Sequence, residues 1–206
     1  MTNTMPETER PDADRDMSRT TRAVDPAELR RRLDRPVVLV GMMGTGKSTV
    51  GRKLAQTMTV EFTDADHEIE QAAQMSVGDI FSEFGEAYFR DGERRVIARL
   101  LEESSGVIAT GGGAFCNEET RALILDRAIA VWLDSPIDVL VERTGRKDTR
   151  PLLRDGDPQE ILTRLHAERA PFYGEAQLRV ESANGPHQQT VERILSALDD
   201  WTRANG

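Results

Sequence analysis

Cysteine is almost absent. The single Cys116 has no partner in the chain, which excludes an internal disulfide framework and suits a reducing compartment. Aromatic residues make up only 5% of the sequence, and no apolar run approaches the roughly 20 residues that span a bilayer. The histidines, His67, His166 and His187, are scattered without metal-ligand spacing, so helix surface is their expected place. Long basic runs are missing and the formal net charge is -9, which argues against a nucleic-acid partner. The opening "MTNTMPETERPDADRDMSRT" lacks the apolar core of a secretory signal and is too acidic for an organelle transit peptide. A cytoplasmic location is therefore expected. Repeats at a solenoid period are absent. No heptad or apolar stripe asks for a second copy, and a monomer is expected.

What is present is one domain's worth of alternating signals over 206 residues. Residues 1–34 mix Asp, Glu and Arg with few large apolar groups and read as a disordered N-terminal extension, leaving 35–206 as a single domain. Within the extension, "DPAELRRRLDRP" (25–36) suits a short helix, with Asp25 as cap and Pro26 at its first position. Strand candidates follow at 37–41, 59–64, 106–110, 128–134 and 178–182. Helical spacing occupies 47–58, 66–73, 77–102, 118–127, 136–144, 158–172 and 187–203. Such alternation predicts an α/β fold, a parallel sheet covered by helices on both faces.

The clearest chemical signal is "VVLVGMMGTGKST" (37–49). It satisfies G-x-x-x-x-G-K-[ST] with Gly41, Gly46, Lys47 and Ser48, between a buried-strand pattern and a helical one. Gly41, Gly44 and Gly46 let successive backbone N–H groups turn toward phosphate oxygens, and the following helix adds its positive end. Lys47 can reach β and γ phosphates, and the Ser48 hydroxyl can ligate Mg²⁺. Gly44 to Thr49 are thus candidate nucleotide-binding residues for ATP or GTP.

Acceptor chemistry has more than one source. Asp64 and Asp66 close the second strand; two apart on an extended chain, they point the same way. Asp64 could hold a water of the Mg²⁺ shell. Asp66 could orient an acceptor hydroxyl or take its proton, or simply cap the next helix. Phe81, Phe84 and Phe89 suit a core, Gly85 predicts a bend, and Arg90 near Glu93 suits either a site or a surface pair. Gly111, Gly112 and Gly113 end the third strand, where three glycines allow close approach or a loose turn. "VERTGRKDTRPLLRDGDPQE" (141–160) carries Arg146, Arg150 and Arg154 and reads as a mobile lid or an exposed linker.

Taken together, GMMGTGKST, the DAD at 64–66, FRDGE at 89–93, TGGGA at 110–114, RPLL at 150–153 and ERAPFY at 168–173 resemble the motif series of the shikimate kinases. The likeness runs from about residue 36 to about 200. It implies a three-layer α/β/α fold with a five-stranded parallel sheet of order 2-3-1-4-5. It also implies an acceptor-binding subdomain over about 65–102 and a lid over about 145–157. The implied reaction moves the ATP γ-phosphate to the 3-hydroxyl of shikimate, with Mg²⁺ as cofactor. By the same resemblance Asp66 contacts the acceptor hydroxyls, while Arg90 and Arg169 hold its carboxylate beside Gly111–Gly113. Arg150 reaches the transferring phosphate, Arg143 packs near adenine, and Lys47, Asp66 and Arg150 form the catalytic set. A kinase for another small hydroxylated acceptor, such as gluconate, and a nucleotide-binding module without turnover are the alternatives.

Overall fold

A computed structural model describes residues 24–145 and 156–205. Its centre is β1 (Val37–Val40), four branched apolar residues that are all buried, as a strand covered on both sides requires. Side chains alternate along it: Val38 and Val40 enter one core cluster, Val37 and Leu39 the other. β2 (Phe62–Asp64), β3 (Val107–Ala109), β4 (Ile129–Asp134) and β5 (Leu178–Glu181) complete a parallel sheet in the order β2-β3-β1-β4-β5. The register sets Leu39 beside Ala109 and Val131, and Val40 beside Trp132.

Helices cover both faces. The Val37/Leu39 face is packed by α1 (Pro26–Arg32), α2 (Lys47–Met58) and α8 (His187–Asn205), through Leu29, Val50, Leu54, Ile194 and Leu198. The Val38/Val40 face receives the end of α4 (Val77–Glu103), α5 (Glu118–Arg127), α6 (Ile137–Gly145) and α7 (Pro158–Tyr173). Between β2 and α4 lies α3 (Ala65–Ala73). With α4, on both sides of its bend, it encloses a small separate cluster of Ile69, Ile80 and Phe89. The helix α4 is interrupted as its sequence suggests: Gly85 has φ 79° and ψ 174°, so two helical pieces meet there.

Two boundaries differ from the sequence expectation. Residues 24–34 are not a solvated tail. Asp25 caps α1 through the Ala27 N–H at 2.9 Å, Leu29 is 0% exposed, and Arg32 is ion-paired with Asp199 on α8. One leucine and one arginine anchor a stretch whose average composition is polar. The second strand begins at Phe62 rather than residue 59, because Thr59 takes a left-handed conformation (φ 54°) to end α2.

All strands run the same way, so their carboxyl ends share one rim of the sheet. The turn after β1 (residues 41–46), Asp64 at the end of β2 and Gly111–Gly113 after β3 therefore converge. Among the described residues no helix is long and apolar enough to cross a membrane.

Candidate active site

At the rim, α2 starts differently from its neighbours. Ser76, Asn117 and Asp157 cap α4, α5 and α7 with their side chains, whereas α2 begins at Gly46 with no side-chain cap. Gly46 has φ 91°, a conformation that a side chain would strain. The first N–H groups of α2 are thus left to an anion at the positive end of a 12-residue helix. Lys47, only 8% exposed, curls over the loop and donates to Gly41 O at 2.7 Å and Met42 O at 2.9 Å. Thr45 is buried and donates to Met42 O, which tightens the same turn, while Thr49 faces solvent.

The oxygen donors for a cation are also in place. Ser48 Oγ donates to Asp64 Oδ2 at 2.6 Å, so a hydroxyl and a carboxylate from separate elements share one spot beside the phosphate loop. Hard oxygen ligands of this kind fit Mg²⁺. Among the described residues no group of three or more His, Cys, Asp or Glu could cage a metal.

Asp64 and Asp66 do not lie on one extended strand. Helix α3 begins at Ala65, and Asp64 rather than Asp66 is its cap, accepting the Asp66 N–H at 3.2 Å. The Asp66 carboxylate is thereby left for other work. Burial, and then the charge of Asp64, raise its pKa above the usual carboxylate range, against the pull of Lys47 and Arg90.

Arg90 on α4 donates to Glu93 Oε2 at 2.6 Å and, less closely, to Glu86. Glu93 is 1% exposed, so this is no surface pair. Burial raises the Glu93 carboxyl, and Arg90 only partly offsets it; its other oxygen, Oε1, is buried without a hydrogen-bond partner. The Arg90 guanidinium also lies over the rings of Phe89 and Phe81, at 5.2 and 5.9 Å.

The glycine turn explains itself against these side chains. A Cβ on Gly111 would stand 2.7 Å from Asp66 Oδ1 and 3.1 Å from Glu93 Oε1. One on Gly113 would stand 2.4 Å from Arg90 Nη2. Backbone without side chains is what lets two carboxylates and a guanidinium close on one point. From α7, Arg169 donates to Gly112 O at 3.2 Å, and the Tyr173 hydroxyl donates to the same carbonyl.

The residues expected from the sequence thus fall into two adjoining groups at the rim: Gly44 to Ser48 with Asp64, and Asp66, Arg90, Gly111–Gly113 and Arg169. Arg143 lies behind the phosphate loop, donating to Ala183 O at 2.8 Å and reaching Gly44 O and Thr45 O at 3.5 Å. Arg146, Arg150 and Arg154, and with them the body of the expected lid, lie outside the described residues.

Three residues to which the sequence assigns no site role also reach these loops. Ser182 is fully buried and donates to Thr45 O at 2.9 Å, tying the end of β5 to the phosphate loop. His187 is not simply helix surface: its Cε1 would lie 3.5 Å from a Cβ on Gly46, its Nδ1 is buried without a partner, and burial lowers its pKa. Tyr173 is 1% exposed and reaches the glycine turn. Only the "ERAPFY" motif could have drawn attention to it.

Comparison with known proteins agrees with this geometry. Residues 43–199 match the family described as shikimate kinase. The shikimate kinase of Novosphingobium aromaticivorans is 61% identical over 175 residues, 83% of this chain and 91% of that protein. That of Caulobacter vibrioides is 56% identical over 162 residues, 79% of this chain and 81% of that protein. The structure of the Acinetobacter baumannii shikimate kinase in complex with shikimate superposes with a TM-score of 0.77 at 37% identity, covering 81% of this chain and 93% of that one. A gluconokinase from Sinorhizobium meliloti shares the fold, at a TM-score of 0.56 and only 19% identity. Motif order, sheet order and the identity along most of the chain lead to one assignment: this chain belongs to the shikimate kinase family.

Proposed function

We propose that this chain transfers the γ-phosphate of ATP to the 3-hydroxyl of shikimate, giving shikimate 3-phosphate and ADP on the route to chorismate and the aromatic amino acids. One observation carries the reading. A carboxylate and a half-buried, carboxylate-paired guanidinium, Asp66 and Arg90, close on the Gly111–Gly113 turn beside an uncapped phosphate loop. Shikimate is a small monoanion with several hydroxyls. Its carboxylate calls for guanidinium forks and its hydroxyls for an acidic acceptor.

In this reading Arg90 and Arg169 bind the acceptor carboxylate, and Glu93 holds Arg90 in place by its 2.6 Å bond. Asp66 accepts the hydroxyl that attacks. Its raised pKa makes it a better proton acceptor than an ordinary aspartate, whose value is about 3.9. Lys47 leaves the loop carbonyls for the β and γ phosphates as the nucleotide enters, and the N–H groups of the loop and of α2 receive the other phosphate oxygens. Ser48 and, through water, Asp64 would hold Mg²⁺, which when bound neutralises phosphate charge. Arg143 sits toward the base, and Arg150 comes to the transferring group from the lid. Phosphoryl transfer asks for little covalent work from the protein, so alignment and charge neutralisation carry the rate. The same reading places the enzyme in the cytoplasm, as a monomer with no nucleic-acid or membrane partner.

Coupled ADP release, with shikimate, gluconate and AMP offered separately, tests the proposal. Shikimate should give turnover well above the no-acceptor control. Preference for gluconate would reassign the acceptor, and ADP release equal to the control with all three would leave only nucleotide binding.

A further inference from the structure

Tyr173 has no counterpart among the groups that phosphoryl transfer requires, yet its surroundings are specific. It is 1% exposed, packed against Trp132 with ring centroids 5.8 Å apart, and its hydroxyl donates to Gly112 O. Arg169 Nη1 donates to that same carbonyl at 3.2 Å, so two donors converge on one oxygen. Arg169 and the Cys116 thiol lie close enough to the Tyr173 hydroxyl to influence it electrostatically. A phenol has one proton, and here it goes to the Gly112 carbonyl.

This arrangement poses a conflict for Arg169. The guanidinium that is to bind the acceptor carboxylate is also a donor to a carbonyl of the glycine turn. If it were the only donor there, turning to the acceptor would strip that oxygen of its partner. The Tyr173 hydroxyl removes the conflict, because Gly112 O keeps a donor whichever way Arg169 points. The packing of Tyr173 against Trp132 holds the hydroxyl in place while Arg169, only half-buried, can swing.

We propose that Tyr173 is a positioning residue for acceptor binding: its hydroxyl holds the Gly112 carbonyl and so frees the Arg169 guanidinium for the acceptor's carboxylate. The inference rests on the reading that Arg169 binds that carboxylate. It touches neither the reacting atoms nor the nucleotide, so its signature is confined to the acceptor's Michaelis constant and to the acceptor's charge.

The test compares the full-length enzyme with Tyr173→Phe, Arg169→Lys and the double variant. Acceptors are shikimate and its analogue with the carboxylate replaced by a primary amide. Tyr173→Phe removes one oxygen and keeps the ring. It is expected to raise KM for shikimate about tenfold, the loss of roughly one hydrogen bond in a charged setting, with kcat and KM for ATP within about twofold. The amide acceptor should show less than a twofold change, since a guanidinium matters less to a neutral group. Arg169→Lys should raise KM for shikimate, and adding Tyr173→Phe to it should do little more, because both act through one guanidinium. An unchanged KM for shikimate in Tyr173→Phe, an equal penalty on the amide, a parallel rise in KM for ATP, or multiplying effects in the double variant would each overturn the proposal. If Arg169→Lys raises KM while Tyr173→Phe does not, only the role of Tyr173 falls. If Arg169→Lys itself leaves KM unchanged, the carboxylate reading falls with it.

Discussion

The two halves of the proposed site are built by different means. In the proposed function the phosphate side centres on one contiguous stretch, residues 41–49, joined by Asp64, and it relies on backbone N–H groups, on glycines at positive φ and on Lys47 and Ser48. The acceptor side draws on four separated stretches, around Asp66, Arg90 to Glu93, Gly111 to Gly113 and Arg169 to Tyr173, and works through side chains. A backbone site is specified locally, because φ and the start of a helix need only neighbours in the chain. A side-chain site made of buried charges exists only when the whole fold holds it, since each charge is tolerable only beside its partner. Glu93 shows this most clearly: 1% exposed, with one oxygen on Arg90 and the other unpartnered at the glycine turn.

The largest effect should separate chemistry from binding. Asp66→Asn keeps the shape of the acceptor side, and kcat is expected to fall by about 10²–10⁴-fold while ATP binding, followed by calorimetry, is retained. Equal loss of ATP affinity would show that the two halves are not separable. Next, Arg90→Ala should raise KM for shikimate about 30-fold, near 2 kcal/mol for a charge-assisted contact, with little change in KM for ATP.

Alanine at a glycine sharpens the contrast, because the reason for failure differs on each side. Gly113→Ala puts a methyl 2.4 Å from Arg90 Nη2 and should raise KM for shikimate about tenfold by displacing that side chain. Gly46→Ala has room, with its nearest neighbour at 3.5 Å, but must adopt φ 91°. Backbone strain of about 1–3 kcal/mol should appear in KM for ATP instead. If both variants weakened the same substrate, the division would be wrong.

A smaller effect concerns the burial of Glu93. Its raised pKa means that the fold binds this proton more tightly than the unfolded chain, where the ordinary value is 4.5. The ionised carboxylate therefore subtracts from stability at neutral pH, and the deficit shrinks as the pH falls through the folded value toward 4.5. Glu93→Gln, which never ionises, should lose stability relative to the parent as the pH falls from neutrality toward 4.5, as read by denaturation midpoints at each pH. A relative gain on acidification would reverse the sign and place the pairing with Arg90 above desolvation.

The smallest expected effect on catalysis lies outside both halves. Removing residues 1–23 should leave kcat and the melting temperature unchanged. Extending the deletion through residue 33 removes the buried Leu29 and the Arg32–Asp199 pair, and should lower stability by about 2–3 kcal/mol or more with kcat largely intact. Equal stability of the two truncations would return α1 to the tail.

Much of this molecule was legible in its residues. The continuous Val37–Val40 run announced a strand buried on both faces, and Gly85 announced the bend in α4. The phosphate loop needed no fold to be read, because its function resides in backbone angles that glycine permits and a helix that follows directly. Local chemistry misled where geometry turned on a single residue. The pairing of Asp64 with Asp66 was read as strand alternation, when a helix starts between them and Asp64 is its cap. Leu29 was hidden in a polar stretch whose average said tail.

By itself, then, the sequence determined the alternation of strands and helices, the phosphate loop and, through its motif series, the family. Only the tertiary structure decided that Glu93 is a buried partner rather than a surface charge. It alone decided that Gly111 and Gly113 are small because Asp66, Glu93 and Arg90 press on them, and that Tyr173 and Arg169 meet on one carbonyl. The physical reason is range. Backbone conformation and hydrophobic period are set by residues a few positions apart, whereas the burial of a charge and its partner is set by segments that meet only once the sheet has formed.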